Sequence, residues 1–271
     1  MHRNIHLHFS GFSESRALAE FGAAPALVCG CAGCWQAGDF CKSDARWRSQ
    51  RNASFLATCR ETTALVEARC ASDVLLSYRW KSFAHSPLDA EVDTYLRASN
   101  ASRVVAIYAV GPHHFTTEPG HERKWEFVVS SGWMPPQPWI DAWTRGLLQL
   151  FARLAALRDA GICVLWKLNH IGRRLRGAHG ESYHIGHPSA QGGWHDHLNS
   201  FASSLAAANG IPVIDVKPIT LRVNVTQKEG AKAGIAAHDY YHGYDFPALW
   251  RLTAARVRRE CGLVLRSTAP L

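Results

Sequence analysis

Ser13, Asp239 and His242 are the side chains in this sequence whose types and order suit nucleophilic chemistry. A hydroxyl nucleophile needs a base within hydrogen-bond reach, and the base needs a group that orients it. Asp239 and His242 stand three apart in Ala237-His238-Asp239-Tyr240-Tyr241-His242-Gly243-Tyr244-Asp245. With Ser13 they supply nucleophile, orienter and base in the order Ser…Asp…His. His238 and Asp245 are neighbouring alternatives for base and orienter. Ser13 follows an alternating run, Ile5 to Phe9, that reads as a strand, and a Ser10-Gly11 turn. It precedes a helix-forming run from Glu14 to Glu20. Helix N-termini carry unpaired N–H groups and a positive dipole end, which stabilise developing negative charge. The plainer role for Ser13, and for Asp239, is helix capping.

Alternating strands and helices are needed to bring residues 13 and 242 together, and the sequence contains them. Apolar runs at Asp73–Tyr78, Arg103–Val110, Ile162–Leu168 and Ile211–Val216 read as buried strands. Helices are expected over Ala53–Arg69, Pro87–Ala98, Pro138–Ala160 (stopped by Gly161), His197–Asn209 (stopped by Gly210) and Phe246–Cys261. The first of these closes a Cys-rich insertion over residues 22–70. The pattern predicts a single three-layer, doubly wound α/β domain with about five parallel strands. In such sheets sites form at the carboxyl ends of the strands. Ser13, the turn Gly111-Pro112-His113-His114 and the loop from Asn169 to Gly193 all follow strands, so they share that edge. Lys167 and Arg173 near it could contact an anionic substrate, although surface charge is the plainer reading, and Cys163 reads as an inert buried thiol.

At 271 residues, 47% hydrophobic and 19% charged, the chain is long and apolar enough for a full globular core. No run of eighteen apolar residues occurs, so no membrane span is expected. The net charge of +8 is scattered and no nucleic-acid motif stands out, which leaves a solvated basic surface. Six of the eight Cys (Cys29, Cys31, Cys34, Cys41, Cys59 and Cys70) are clustered, and sequons occur at Asn52, Asn100 and Asn224. Both features point to an oxidising secretory lumen or the extracellular space. Met1-His2-Arg3 leads straight into the first strand, so the expected leader or anchor is missing from this sequence. The competing use of Cys29, Cys31, Cys34 and Cys41 is a zinc site, but C-x-C-x2-C-x6-C is not a standard finger spacing. The His-rich loop (His170, His179, His184, His187, His195 and His197) offers a chelate at His195-x-His197. It reads instead as a solvated Gly-rich loop, and neither metal nor cofactor is expected.

Three blocks, in order over nearly the whole chain, resemble the SGNH or GDSL-type hydrolase superfamily, and most of all its PC-esterase and trichome-birefringence-like branch. Gly11-Phe12-Ser13-Glu14-Ser15-Arg16 is similar to the G-D-S-x-S-R block that follows the first strand. Gly111-Pro112-His113-His114 is similar to the middle block, and Asp239-Tyr240-Tyr241-His242 to the D-x-x-H block before the last helix. The resemblance implies acyl-ester chemistry on O-acetylated carbohydrate, by an esterase or an acetyltransferase. Ser13 would be the nucleophile, His242 the base and Asp239 its orienter. The N–H groups of Ser13 and Gly111 would hold the oxyanion, helped by the His113-His114 turn. Arg16 more simply anchors the first helix. Two positions depart from the family: Phe12 stands where it has Asp, and His113 where classical members have Asn. A domain that binds glycans without catalysis is the alternative those departures favour.

Overall fold

Strand β1 (Ile5–Gly11) lies inside the sheet and is buried on both faces. The computed structural model describes residues 5–11, 15, 18–29, 66–70, 73–80, 89–110, 137–169, 175–176, 182–183, 194–220 and 245–265. Five more strands complete the main sheet or its edge: β2 (Val66–Cys70), β3 (Val74–Trp80), β4 (Arg103–Tyr108), β5 (Cys163–Lys167) and, beyond a small separate ladder, β8 (Val213–Ile214). Their order is β2-β3-β1-β4-β5-β8, and every pairing is parallel except β2 with β3. Without β2 this is the flavodoxin-like doubly wound order.

The pleat of β1 sorts its residues. Leu7 and Phe9 join Val74, Leu76, Val105, Ile107 and Leu165 in one apolar layer. That layer is covered by a π-helix (Leu18–Ala23), the short α1 (Ala24–Ala26) and the last helix, α6 (Phe246–Cys261). The opposite face packs Ala106, Tyr108, Val164 and Trp166 under α2 (Asp89–Arg97), α3 (Gln137–Asp159) and α4 (Trp194–Ala208). A single turn, α5 (Lys217–Thr220), follows β8. Each fully buried Leu or Phe contributes roughly 1.5–3 kcal/mol, so these two layers dominate the stability. Arg153 of α3 clamps α2 over the sheet, reaching Asp89 at 2.8 Å and Asp93 at 2.7 Å. The spacing of Trp143, Leu147, Leu150, Leu154 and Leu157 puts the buried face of α3 where the sequence expects it. Gly161, at φ 87°, ends the helix: its N–H reaches the Arg158 carbonyl at 2.8 Å, and that of Ile162 reaches Leu157 at 3.1 Å. Only glycine takes that left-handed cap without strain. The same closure at Gly210 ends α4.

Several expectations are corrected. β1 continues through Ser10 and Gly11, which are strand and not turn. Residues 66–69, expected as the end of a helix, form edge strand β2. Glu, Ala and Arg are good helix formers, but intrinsic propensity is a small term, and pairing with β3 overrides it. The sheet therefore has an antiparallel sixth strand. Cys163 is no free thiol: it is bonded to Cys261, 98 residues away, and Cys29 is bonded to Cys70. Cys29 is thereby removed from the zinc set, whose other members lie outside the described residues. Within the expected loop, β6 (Leu175–Arg176) pairs antiparallel with β7 (Ser182–Tyr183). Helix α4 starts at Trp194, earlier than expected, so His195 and His197 occupy helical positions two apart, which do not share a face. His170, His179, His184 and His187 lie outside the described residues, as do the sequons at Asn52 and Asn224. Lys167, read as surface charge, is 0% exposed.

Candidate active site

The strand order reverses between β1 and β4: from β1 the chain moves to β3 on one side, then to β4, β5 and β8 on the other. Crevices in open α/β sheets form at such a point, outside the carboxyl ends of the strands. Here those ends stay together, since the Ala109 N–H donates to the Ser10 carbonyl at 2.9 Å. The exit of β1 is fixed from three sides. A Cβ at residue 11 would overlap the Ser15 hydroxyl, lie 2.8 Å from Ser15 Cβ and 3.0 Å from the Ala109 carbonyl oxygen. Only glycine fits that approach. The Tyr78 hydroxyl of β3 donates to the Gly11 carbonyl at 2.9 Å. Ser15, helical and 2% exposed, packs closely against Gly11.

Ser13 is two residues past Gly11, and Gly111 is two past Ala109. Ser13, Phe12, Arg16, Gly111, His113, His114, His238, Asp239 and His242 all lie outside the described residues, as does Arg173. Asp245 is described, and it is spent as the N-cap of α6: its Oδ1 accepts from the Ala248 N–H at 2.8 Å. It is therefore a cap and no longer an attractive orienter.

The direction of α6 bears on the same edge. Cys261 ends this helix, and its disulfide partner Cys163 is the first residue of β5, at the amino-terminal edge of the sheet. Sixteen residues of helix span about 24 Å, enough to cross a sheet of this strand length. The start of α6 thus faces the carboxyl edge. It packs against the helical segment that follows Ser13, where a Cβ on Gly22 would lie 3.2 Å from both the Phe246 carbonyl and Trp250 Cβ.

At the end of β5 two buried amides lock the chain. Asn199 Oδ1 accepts from the Asn169 N–H at 2.9 Å, and Asn199 Nδ2 donates to the Asn169 carbonyl at 3.1 Å. Both backbone groups of Asn169 are thereby paired by one side chain, as a neighbouring strand would pair them. On the α6 side of the same strand end, Lys167 Nζ donates to the Leu168 carbonyl at 3.0 Å.

A polar column that the sequence reading did not single out runs up the α2 face of β1. His6 Nδ1 lies 2.9 Å from Ser99 Oγ, His6 Nε2 lies 2.8 Å from Ser77 Oγ, and His8 Nδ1 lies 2.8 Å from the same hydroxyl. The Tyr95 hydroxyl donates to Glu67 at 2.5 Å, so its oxygen accepts from His6 Nε2 at 3.2 Å. His6 Nε2 therefore carries the ring proton, and His6 Nδ1 accepts from the Ser99 hydroxyl. His8 Nε2 has no hydrogen-bond partner among the described residues. Burial pushes His6 down to about 4 against the opposing pull of Glu67, and pushes His8 down to about 3, helped by His6 and Arg79. Both rings are neutral at physiological pH. Burial, and then Asp93 and Asp89, raise the Tyr108 phenol well above its ordinary range. The signal for this column was visible as the His alternation in Ile5–Phe9. What was missing was that α2 crosses over β1 and buries the His face as well.

Among the described residues no group of three His, Cys, Asp or Glu side chains could hold a metal ion, and no helix is long and apolar enough to cross a membrane. No protein-family model matches the sequence, and no curated protein matches it. Solved structures similar to this chain include the acetyl xylan esterase AlAXEase, at 11% identity and a TM-score of 0.41, covering 96% of this chain and 100% of that one. Axe2, an acetylxylan esterase from Geobacillus stearothermophilus, is similar at 12% identity and a TM-score of 0.42, over 99% of this chain and 100% of that one. A protein from Parabacteroides merdae described as a GDSL-like lipase is similar at 10% identity and a TM-score of 0.45, over 97% of each chain.

Proposed function

We propose that the chain is a serine ester hydrolase or acyl transferase acting on O-acylated carbohydrate through an acyl-enzyme. The observation that carries this reading is the glycine-only strand end at Gly11, set against Ala109 at the point where the strand order reverses. It supports a nucleophile at Ser13 and an oxyanion donor at Gly111, each within two residues, about 7 Å of chain, of that contact. His242 precedes Asp245 by three residues, so about 10 Å of chain separates it from the start of α6. The course of α6 favours delivery of Asp239 and His242 to the same edge.

In this mechanism Ser13 Oγ attacks the ester carbonyl carbon while His242 takes its proton. Asp239 holds the imidazole and stabilises the imidazolium. The Ser13 and Gly111 N–H groups bind the oxyanion, with His113 or His114 as a further donor. Collapse breaks the carbonyl–alkoxide bond, and the imidazolium protonates the departing sugar hydroxyl. Water, or a second hydroxyl, then takes the acyl group. Arg16 is assigned to anchoring the first helix. The disulfides Cys29–Cys70 and Cys163–Cys261 support a secretory-lumen or extracellular location.

Hydrolysis of p-nitrophenyl acetate by the full chain and by Ser13→Ala tests the assignment. Loss of activity in the variant supports Ser13, and activity that survives the substitution rejects it. Phe12, in the place of the family's Asp, favours a second reading: a glycan-binding domain of the same fold without catalysis. Absence of turnover together with retained binding of acetylated oligosaccharide is the result that selects it.

A further inference from the structure

We propose that Asn100 is an N-glycosylation site, carrying an oligosaccharide on its Nδ2 at the edge of the sheet opposite the candidate active site. The sequon Asn100-Ala101-Ser102 forms the turn between α2 and β4, and both Asn100 and Ser102 are exposed. The residues beside Asn100 are held inward. The Ser99 hydroxyl sits 2.9 Å from His6 Nδ1 and accepts from the Ala101 N–H at 3.4 Å. The turn is anchored through Ser99, and Asn100 is left at the surface. A second observation is independent of the motif. The described cysteines form the disulfides Cys29–Cys70 and Cys163–Cys261, and none of them is free. Such bridges belong to an oxidising compartment, the same one in which Asn-x-Ser/Thr acceptors are used.

The position also leaves the carboxyl edge unobstructed. Asn100 precedes β4, whereas Ala109 follows it, and the six residues of β4 put about 20 Å between the two ends. The donor in the transfer is a polyprenyl-diphosphate-linked oligosaccharide, and the catalyst is the host cell's oligosaccharyltransferase. The amide nitrogen of Asn100 forms a bond to the anomeric carbon while the bond from that carbon to the phosphate oxygen breaks. The lipid diphosphate leaves with the electron pair, and the amide proton passes to a base of the transferase.

The test is to direct the full chain through the secretory pathway of a eukaryotic cell and analyse its peptides before and after amide N-glycanase. The expected result is a glycan on the Asn100 peptide, with the asparagine converted to aspartate when the glycanase releases it. Asn100→Gln and Ser102→Ala each remove one step of the mobility shift, and Ser102→Thr keeps it. An Asn100 peptide recovered wholly unmodified, from secreted protein whose Cys163–Cys261 bridge is intact, overturns the proposal. Esterase activity is read separately on the same preparations. Asn100→Gln is expected to match the parent, and a parent without activity rejects the esterase reading while leaving the glycan result to stand.

Discussion

Lowering the pH from 7 to 5 is expected to remove about 4 kcal/mol of stability through His6 and His8 alone. In the unfolded chain both rings have the ordinary value of roughly 6.5. In the folded chain burial holds them at about 4 and about 3. Above pH 6.5 neither state is protonated at these rings, and the pair makes no difference. Below it only the unfolded chain takes up protons, so folding loses about 1.4 kcal/mol per ring per pH unit until the folded rings titrate. From 6.5 to 5 that amounts to about 2 kcal/mol for each ring, out of a total stability of roughly 5–15 kcal/mol. Urea unfolding followed by tryptophan fluorescence at pH 7, 6 and 5 measures the loss. Other groups titrate in the same range, so the comparison is with a His6→Gln/His8→Asn variant, in which Asn keeps an acceptor for Ser77. The variant is less stable at pH 7, and its decline to pH 5 is shallower by about 4 kcal/mol. If the two proteins decline in parallel, His6 and His8 are not the buried neutral pair described above.

Gly11→Ala drives a Cβ into Ser15 and the Ala109 carbonyl. Overpacking of this kind costs about 1–3 kcal/mol, so chemical denaturation should show that loss together with a fall in p-nitrophenyl acetate hydrolysis. Asn199→Ala leaves the N–H and carbonyl of Asn169 buried without their partner. A loss of about 3 kcal/mol is expected by urea titration, more than for substitution of an exposed neighbour such as Ser200. Cys261→Ser opens a link between residues 98 apart and should cost about 4 kcal/mol, read as a lower denaturation midpoint for the variant under oxidising conditions. Reducing agent should lower the parent at least as far, because it opens Cys29–Cys70 as well.

The parts legible in the sequence are those whose causes are local. Helix α6 is read to its residue boundaries because both ends are written beside it. Asp245 caps the first turn, Pro247 sits where its missing N–H costs nothing, and Gly262 takes φ 66° at the far end. Gly161 and Gly210 stop α3 and α4 for the same kind of reason. The misread parts depend on pairings, near or far along the chain, and not on local signals. Val66–Cys70 becomes a strand only because β3 offers an open edge, and its exposed charges Glu67 and Arg69 suit an edge position. Cys163 has no neighbour that announces Cys261. The burial of Lys167 follows from the cover that α6 and β8 give to the end of β5. At the site, Gly11 and Ser15 were within view as part of a strand-to-helix turn. The role of Tyr78 was not, because it requires the parallel register that sets Gly11 opposite Trp80.

The exit of β1 is held by Tyr78 from β3, by Ala109 from β4 and by Ser15 from the following helix. None of these supports comes from residues 30–65, which separate the first helical segment from β2. The same strand carries unlike loads on its two faces. Leu7 and Phe9 contribute apolar burial, whereas His6 and His8 surrender hydration and recover part of it through Ser77, Ser99 and Tyr95. A column of apolar side chains there would pack as well at less cost in desolvation. The hydrogen bonds do what such packing would not: they tie β1 to β3 and to α2 in a single register, because a slip of one residue would put the imidazoles into the apolar layer under α6. That register is also the one that brings Gly11 to Tyr78. The position of Gly11 at the exit of β1 is therefore coupled to the buried histidines below it, through the one register that both sets of hydrogen bonds require.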